Sequence, residues 1–202
     1  MPNYTQETLQ IFYNQQIKQY GPSTDALVWH SEDTQRIRYD ILCSDLPTTC
    51  QTIVDIGCGC GDLYHYLKSH HPPYQYKGMD ISANMIVAAQ QAYPNGDFTC
   101  LDLDTFSIHN RFDVVMASGI FNLRLTNHLD TLLYYIKIML SMASQQVRFN
   151  VLTSKKTSEL SGNQFVSINP LFLKKHLLQF CQNIRIIDNY LPNDVTFILN
   201  KF

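Results

Sequence analysis

Residues 54–63 read V-D-I-G-C-G-C-G-D-L and follow a short run rich in β-branched residues. Three glycines between a predicted strand and a predicted helix allow a ligand to approach the main chain closely. The spacing G-x-G-x-G differs from the dinucleotide fingerprint G-x-G-x-x-G, which has a glycine where this chain has Asp62. It also lacks the G-x-x-x-x-G-K-[ST] pattern of a phosphate-cradling loop. The stretch therefore predicts a nucleotide-type fold without a P-loop.

Asp55 precedes the first glycine by two residues and restricts the ligands that this loop accepts. Its carboxylate would repel a pyrophosphate near the glycines, whereas it would attract a cationic ligand. Asp80 ends the next predicted strand, where an acidic side chain can accept hydrogen bonds from both ribose hydroxyls. The pattern favours a nucleoside with a free ribose and a positive, phosphate-free tail, a description that S-adenosylmethionine fits.

Strand-like and helix-like segments alternate along most of the chain. The predicted strands cover residues 51–56, 76–81, 97–101, 112–117, 146–152, 184–190 and 195–201. The predicted helices cover residues 4–20, 31–45, 62–71, 82–93, 129–142 and 170–181, and residues 153–169 are a predicted loop. This alternation predicts a doubly wound, Rossmann-like α/β sheet that is mostly parallel. The joint at 191–194 is too short for a crossover, so the last two strands should be antiparallel.

Polar residues from separate segments fall at the carboxyl ends of the predicted strands. They are Asp55 with Ile56 and Gly57, Asp80, Asp102 and Ser118. Ligands of doubly wound sheets bind beyond this edge, near the point where the strand order reverses. We therefore expect these segments to converge on one site.

Four motifs, in this order, resemble those of class I S-adenosylmethionine-dependent methyltransferases. The first is the glycine stretch at 54–63, and the second is Y-K-G-M-D-I-S-A-N-M-I at 76–86. The third is F-T-C-L-D-L at 98–103, and the fourth is F-D-V-V-M-A-S-G-I-F-N at 112–122. The resemblance covers residues 51–152 and implies a seven-stranded sheet in the order 3-2-1-4-5-7-6, with the last strand antiparallel.

The resemblance also implies roles for individual residues. The cofactor-binding residues that it implies are Asp55, Gly57, Cys58, Gly59, Gly61, Asp80, Ile81, Asp102, Leu103 and Ser118. Asp80 would bind the ribose, with Ile81 against the adenine. Asp102 would contact the adenine amino group beside Leu103, although Asp104 leaves this assignment open. Ser118 would contribute backbone to the floor of the methyl-transfer site.

Residues 1–50 are predicted to form a helical cap over the cofactor site. Arg38 would pair with the methionyl carboxylate of the cofactor, a contact that suits a guanidinium. The alternative is an ordinary helix on the sheet with Arg38 in solvent. Tyr13 and Trp29 are candidates for the wall of an acceptor pocket, which Phe121 and Asn122 would also line.

Cys58 and Cys60 admit two interpretations. The first is a metal site, but the sequence has no C-x-x-C pair that would complete a site with the C-x-C pair of Cys58 and Cys60, so no metal is expected. Small residues that fill the gaps between glycines are the favoured interpretation. The six cysteines do not resemble a secreted disulfide framework, because 202 residues suffice to build a core. With no signal peptide or apolar span predicted, we expect a cytoplasmic protein.

The fourth motif bears on the methyl acceptor. It reads A-S-G-I-F-N at 117–122 and not the [DNS]-P-P-[YFW] pattern of many enzymes that methylate bases or protein amides. The net charge of -2 and the pI of about 6.4 argue against a nucleic-acid partner. We therefore expect a small-molecule acceptor. The methyl group of a sulfonium is already activated, so we expect in-line transfer to the acceptor without a protein nucleophile. Tyr13, His30 and Asn150 are candidate bases, and no catalytic residue is assigned.

Two other functions stay open at this point. A nicotinamide-dependent oxidoreductase is disfavoured by the missing third glycine of its fingerprint and by Asp55. A non-catalytic regulator or partner subunit that only binds S-adenosylmethionine would carry the same cofactor motifs. Residues 1–202 are predicted to form one domain, with the cap at 1–50, the cofactor core at 51–152 and a loop, helix and hairpin at 153–202.

Overall fold

A computed structural model describes residues 4–29, 31–70, 73–103, 111–153, 160–161 and 164–201. Its helices are α1 Gln6–Tyr20, α2 Glu32–Leu42, α3 Asp62–His70, α4 Ala83–Ala92, α5 His128–Met142 and α6 Pro170–Leu177. Its strands are β1 Thr52–Ile56, β2 Gln75–Asp80, β3 Asp97–Cys100, β4 Phe112–Ala117, β5 Ala143–Leu152, β6 Leu160–Ser161, β7 Ser167–Ile168, β8 Asn183–Ile187 and β9 Asp194–Asn200.

The long strands form one twisted sheet in the order β3-β2-β1-β4-β5-β9-β8. Strands β1 to β5 are parallel to one another, whereas β9 is antiparallel to both β5 and β8. This arrangement confirms the predicted order 3-2-1-4-5-7-6, because the predicted sixth and seventh strands are β8 and β9. The strand order reverses between β1 and β4, which places the binding edge at the carboxyl ends of these strands.

The segment predicted as a loop at 153–169 contains two short strands, so that prediction is wrong in part. β6 pairs antiparallel with β7, and β7 pairs with β5 at Ser167 and Leu152. Two-residue strands leave too little periodicity in a polar segment for a sequence pattern to show them. The pair extends the sheet beyond the end of β4, close to the predicted binding edge.

The caps of the helices follow local side-chain chemistry. Ser31 and Ser82 accept hydrogen bonds from the backbone amides of Thr34 and Met85, as the serine directly before each of α2 and α4 predicts. The apolar spacing of Ile37, Ile41 and Leu42 predicts that α2 turns these three side chains inward, but its buried residues are Gln35, Arg38, Tyr39 and Leu42. The error arises because two polar side chains of this helix are buried with specific partners.

Arg148 on β5 fastens the end of α2 to the sheet. Its guanidinium is 1% exposed and donates to the carbonyl oxygens of Leu42, Ser44 and Asp45. The last carbonyls of a helix have no partner within the helix, so these donors satisfy groups that burial would otherwise leave unpaired. Burial lowers the pKa of Arg148 to about 10, which leaves it charged at neutral pH.

Within the described part of the chain, no helix combines the length and apolarity needed to cross a bilayer. All six cysteines are free, and Cys100 is the exposed one among them.

Candidate active site

A cavity of about 560 Å³ lies at the carboxyl ends of β1, β2 and β4. This volume falls in the range of small-molecule sites. α1, the connector between α1 and α2, and the first turns of α5 contribute the other walls. The predicted residues that line the cavity are Tyr13, Trp29, Asp55, Gly57, Cys58, Gly59, Asp80, Ile81, Leu103, Ser118 and Asn122. Gly61, Asp102, Arg38 and Phe121 do not belong to its lining.

α1 crosses the cavity from one end to the other. Near its start, Gln6 donates to the hydroxyl of Tyr135 on α5. Farther along, Gln10 donates to the carbonyl oxygen of Ile81 at 2.8 Å, and Asn14 accepts from the hydroxyl of Ser82 at 2.7 Å. The helix is therefore fixed at the end of β2 as well as at α5. One end of the cavity meets the glycine loop, and the other meets α5.

The glycine loop has the backbone conformation that its sequence predicts. Gly59 has φ of +55°, and a Cβ there would come within 2.7 Å of the Leu27 side chain. Gly61 has φ of +89°, and a Cβ there would meet the ring of Phe98 at 2.9 Å. Gly59 thus permits the connector to lie close to the loop, whereas Gly61 permits the start of α3 to pack against β3.

Asp55 is 2% exposed and lines the cavity at the end of β1. The hydroxyl of Tyr76 donates to its carboxylate at 2.8 Å. Burial raises the pKa of Asp55 to about 7, although the Tyr76 hydrogen bond acts in the opposite direction. A cationic group in the cavity would favour the ionised carboxylate.

Asp80 is held by the backbone on both sides of its carboxylate. The amide of Gly59 donates to one oxygen at 2.9 Å, and the amide of Ser82 donates to the other at 2.8 Å. Burial raises the pKa of Asp80, and these two hydrogen bonds act against that rise. The carboxylate is thus fixed at the cavity wall, between the glycine loop and α4.

Only some residues of the third motif, at 98–103, line the cavity. Leu101 and Leu103 line the cavity, whereas half-buried Asp102 between them does not. Asp104 lies outside the described residues. The contact of Asp102 with adenine stays a prediction, and the leucines form an apolar wall where a flat base would pack.

Asn150 on β5 fixes the loop that follows β4. Its side-chain oxygen accepts from the amide of Gly119 at 2.8 Å, and its amide nitrogen donates to the Ser118 hydroxyl at 3.1 Å. An amide has no basic site at neutral pH, so the suggestion that Asn150 serves as a base is wrong. Ser118 and Gly119 both line the cavity.

Tyr13 lines the cavity near Asp80, but its pKa argues against a role as a base. Burial raises the pKa of the phenol, and the nearby Asp80 carboxylate raises it further. The hydroxyl is therefore protonated at neutral pH, so Tyr13 is disfavoured as a base. Instead, Tyr13 is a residue of the cavity wall whose hydroxyl can donate a hydrogen bond. His30, the other candidate base, lies outside the described residues.

Cys58 and Cys60 are buried among small and apolar groups. The sulfur of Cys60 lies 3.5 Å from that of Met85, and Cys58 packs near Gly78. Burial raises the pKa of both thiols, which disfavours metal-binding thiolates. Among the described residues, no group of three or more His, Cys, Asp or Glu side chains forms a metal site. The cysteines pack as small side chains.

Arg38 occupies a different place from the one predicted. Its guanidinium binds both carboxylate oxygens of Asp194 and donates to the carbonyl oxygen of Thr34. It also lies 4.6 Å from the centre of the Trp29 ring. The structure therefore supports neither the carboxylate contact nor a solvated Arg38, because this buried side chain is outside the cavity lining and each of its three nitrogens donates to a protein oxygen.

Phe121 was predicted to line an acceptor pocket, but it is fully buried in the core. Its ring packs edge-on against Phe149, with centroids 5.7 Å apart. Asn122, one residue on, lines the cavity, and its side-chain oxygen is buried without a hydrogen-bond partner in the described structure. Of these two consecutive residues, Phe121 turns its side chain into the core, and Asn122 turns its side chain towards the cavity.

Sequence reasoning missed the residues at the α5 end of the cavity. Those that line it are Tyr4, Gln6, Leu125, Thr126, Asn127, Asp130, Thr131, Tyr134 and Tyr135. The long apolar face of α5 indicated core packing and masked the polar residues of its first turns. The one available signal was the polar run 126–131, which precedes the apolar part of that helix.

Comparisons with known proteins agree with this geometry. The family described as a methyltransferase domain matches residues 53–142. Rv1506c of Mycobacterium tuberculosis, named as a methyltransferase, is 38% identical over 159 residues, which are 74% of this chain and 93% of that protein. Methyltransferase 235L of Invertebrate iridescent virus 6 is 34% identical over 67 residues, and the match covers 33% of this chain and 25% of the viral protein.

A solved structure shows the same fold. It is 1,6-didemethyltoxoflavin-N1-methyltransferase from Burkholderia thailandensis, with bound 1,6-didemethyltoxoflavin and S-adenosylhomocysteine. It superposes with a TM-score of 0.69 at 15% identity, over 100% of this chain and 92% of that one. The chain belongs to the class I S-adenosylmethionine-dependent methyltransferases, and S-adenosylmethionine is its cofactor.

Proposed function

We propose that this protein transfers a methyl group from S-adenosylmethionine to a small-molecule acceptor. The observation that carries the proposal is the single cavity that joins the glycine loop and Asp80 to the polar residues of α5. When bound, the cofactor supplies a sulfonium-activated methyl group, which an acceptor takes by in-line displacement as S-adenosylhomocysteine is formed. This activity has the general class EC 2.1.1.

The residues at the glycine end fit the cofactor. The fixed carboxylate of Asp80 is an acceptor for ribose hydroxyls, and the apolar Ile81 and Leu103 suit the adenine. Buried Asp55 offers a carboxylate to the cationic part of the ligand. The Gly57–Gly59 main chain forms the adjoining wall. These residues bind and orient the cofactor, and none of them supplies a nucleophile.

Helix α1 covers the cavity, and this covering supports the proposal of a small acceptor. Hydrogen bonds between α1 and Ile81, Ser82 and Tyr135 hold this helix across the cavity, where it would shield bound ligands from water. The Burkholderia thailandensis neighbour, which has the same fold, holds 1,6-didemethyltoxoflavin together with S-adenosylhomocysteine. A cytoplasmic location belongs to this proposal and is supported by the six free thiols.

Two measurements test the proposed function. Thermal unfolding with S-adenosylhomocysteine or NADH compares the cofactor classes, and a ligand at 100 times its Kd stabilises by about 2.7 kcal/mol. We expect S-adenosylhomocysteine to raise the Tm and NADH to leave it unchanged. Transfer of labelled methyl groups from S-adenosylmethionine to fractionated cell extract then assigns the acceptor. Label in the low-molecular-weight fraction supports the proposal, whereas label confined to protein or nucleic acid, or no transfer, contradicts it.

A further inference from the structure

A buried ion pair links the cap of this protein to the C-terminal part of its sheet. Arg38 on α2 is 7% exposed, and Asp194, the first residue of β9, is 2% exposed. The Nε of Arg38 donates to one oxygen of Asp194 at 2.8 Å, and a terminal nitrogen donates to the other. This two-pronged contact uses the fork geometry that an arginine has and a lysine lacks.

The cost of burying this pair indicates a role beyond stability. Two charges removed from water seldom stabilise a fold more than apolar side chains of the same volume would. The third nitrogen of Arg38 donates to the carbonyl oxygen of Thr34 at 2.9 Å, so bonds from all three nitrogens fix the orientation of the guanidinium. Its central carbon lies over another group, the ring of Trp29.

Trp29 connects this pair to the cavity. The guanidinium carbon of Arg38 lies 4.6 Å from the centre of the Trp29 ring, a distance at which a cation and a π system attract. A second contact of the indole is with Gly119, where a Cβ would come within 2.8 Å of the ring. Trp29 and Gly119 both line the cavity. The indole therefore contacts both Arg38 and the loop that follows β4.

We propose that Arg38 is a positioning residue, whose ion pair with Asp194 fixes Trp29 against Gly119 as a wall of the cavity. Through this contact, β9 determines the shape of the site without touching a ligand. The proposed role as a wall of the methyl-transfer site rests on the proposed function. The position of Trp29 can be measured without any acceptor.

Trp29 is the single tryptophan of the chain, so its fluorescence reports this position alone. The first variant, Arg38→Lys, keeps the charge but loses the fork and the flat face. The second, Arg38→Met with Asp194→Leu, removes both charges and leaves no lone buried ion, which protects folding. The matched control is Arg185→Lys, because Arg185 pairs with Asp45 on the exposed surface. Far-UV circular dichroism establishes that each variant is folded.

We expect both Arg38 variants to move the Trp29 emission to longer wavelength and to raise its quenching by acrylamide about twofold or more, because the ring loses the fixed guanidinium that covers it. Arg185→Lys should leave both quantities unchanged. Unaltered emission and quenching in the folded double variant would overturn the proposal. Weaker binding of S-adenosylhomocysteine together with unaltered Trp29 signals would instead support direct contact of Arg38 with the cofactor.

Calorimetric titration of the unmodified protein with S-adenosylhomocysteine separates the two proposals. Absence of binding there would contradict the proposed function, whereas the fluorescence of the variants would still decide whether Arg38 positions Trp29.

Discussion

The carboxylate of Asp80 is fixed in the protein before any ligand binds. Two backbone amides, from Gly59 and Ser82, hold its oxygens in place. An asparagine there would turn an amide N–H₂ towards one of these N–H groups and would lose the charge that strengthens the proposed hydrogen bond to ribose. The position therefore depends on an acid and not merely on a polar side chain.

We predict that Asp80→Asn raises the Kd for S-adenosylhomocysteine about tenfold or more, which corresponds to about 1.4 kcal/mol. Isothermal titration calorimetry measures this change. Asp97→Asn is the control, because Asp97 is exposed at the start of β3 and pairs with Lys77. Equal affinities of the Asp80 variant and the unmodified protein would exclude Asp80 from the cofactor site.

Asp55 predicts a pH dependence of stability. Burial raises its pKa in the folded protein from 3.8 to about 7, so the folded state retains a proton that the unfolded chain releases. The free energy of unfolding therefore contains a contribution that falls as the pH rises through this window, by about 1.4 kcal/mol for each unit of pKa difference. Urea unfolding of the free protein across this pH range measures it.

Asp55→Asn should remove this contribution and flatten the pH profile. Asp33→Asn, at an exposed position on α2, is expected to leave the profile as it is. A profile that is the same in the Asp55 variant and the unmodified protein would mean that this carboxyl is ionised in the folded state throughout the range.

At the scale of elements, the loop between β4 and α5 depends on a glycine. Gly119 has φ of +81°, and a Cβ there would meet the Trp29 ring at 2.8 Å. Gly21, at the end of α1, also has a positive φ, +66°, but a Cβ there would have no neighbour within 4 Å. An alanine at Gly21 would therefore add backbone strain alone, whereas an alanine at Gly119 would add backbone strain and also displace the indole.

We expect Gly119→Ala and Gly21→Ala each to lower the free energy of unfolding by about 1–3 kcal/mol, the usual strain of such a conformation. Only Gly119→Ala should also change the emission of Trp29, because its methyl group meets the ring. Urea unfolding and fluorescence of the two variants test this. A change of emission in Gly21→Ala, or none in Gly119→Ala, would contradict the assigned contact.

The elements also show which parts of the fold and site follow from the sequence. The glycine loop, Asp80 and the parallel strands were predictable, since each depends on local backbone chemistry or on the alternation of strands and helices. The contacts of Arg38 with Asp194 and Trp29 were not predicted. No local pattern indicates the ion pair, because 156 residues separate Arg38 from Asp194. Phe121 was misplaced because the sequence does not specify which of two neighbouring side chains enters the core.

At the scale of the whole molecule, Arg148 in the middle of β5 joins the cap to the sheet. It satisfies three carbonyl oxygens at the end of α2 and thereby fixes the helix that carries Arg38. The orientation of the cap is thus determined at two places, by Arg148 in the middle of β5 and by Asp194 on β9, which pairs with Leu152 at the end of β5.

We predict that Arg148→Lys lowers the free energy of unfolding by about 2–4 kcal/mol, because one ammonium cannot reach three separate buried carbonyls. The midpoint of urea unfolding measures the loss. Arg185→Lys, on the exposed surface, should change stability by less than about 0.5 kcal/mol. Comparable losses in the two variants would show that the buried contacts of Arg148 contribute little.

The distribution of thiols has a practical consequence. Five cysteines are buried, and Cys100 at the end of β3 is exposed, with its sulfur 3.6 Å from the carbonyl oxygen of Ile81. Ile81 lines the cavity. A maleimide dye would therefore attach at one place, beside the end of the cavity proposed to bind adenine, and Cys100→Ser provides the unlabelled reference. The chain carries its own attachment point for following ligand entry without an introduced cysteine.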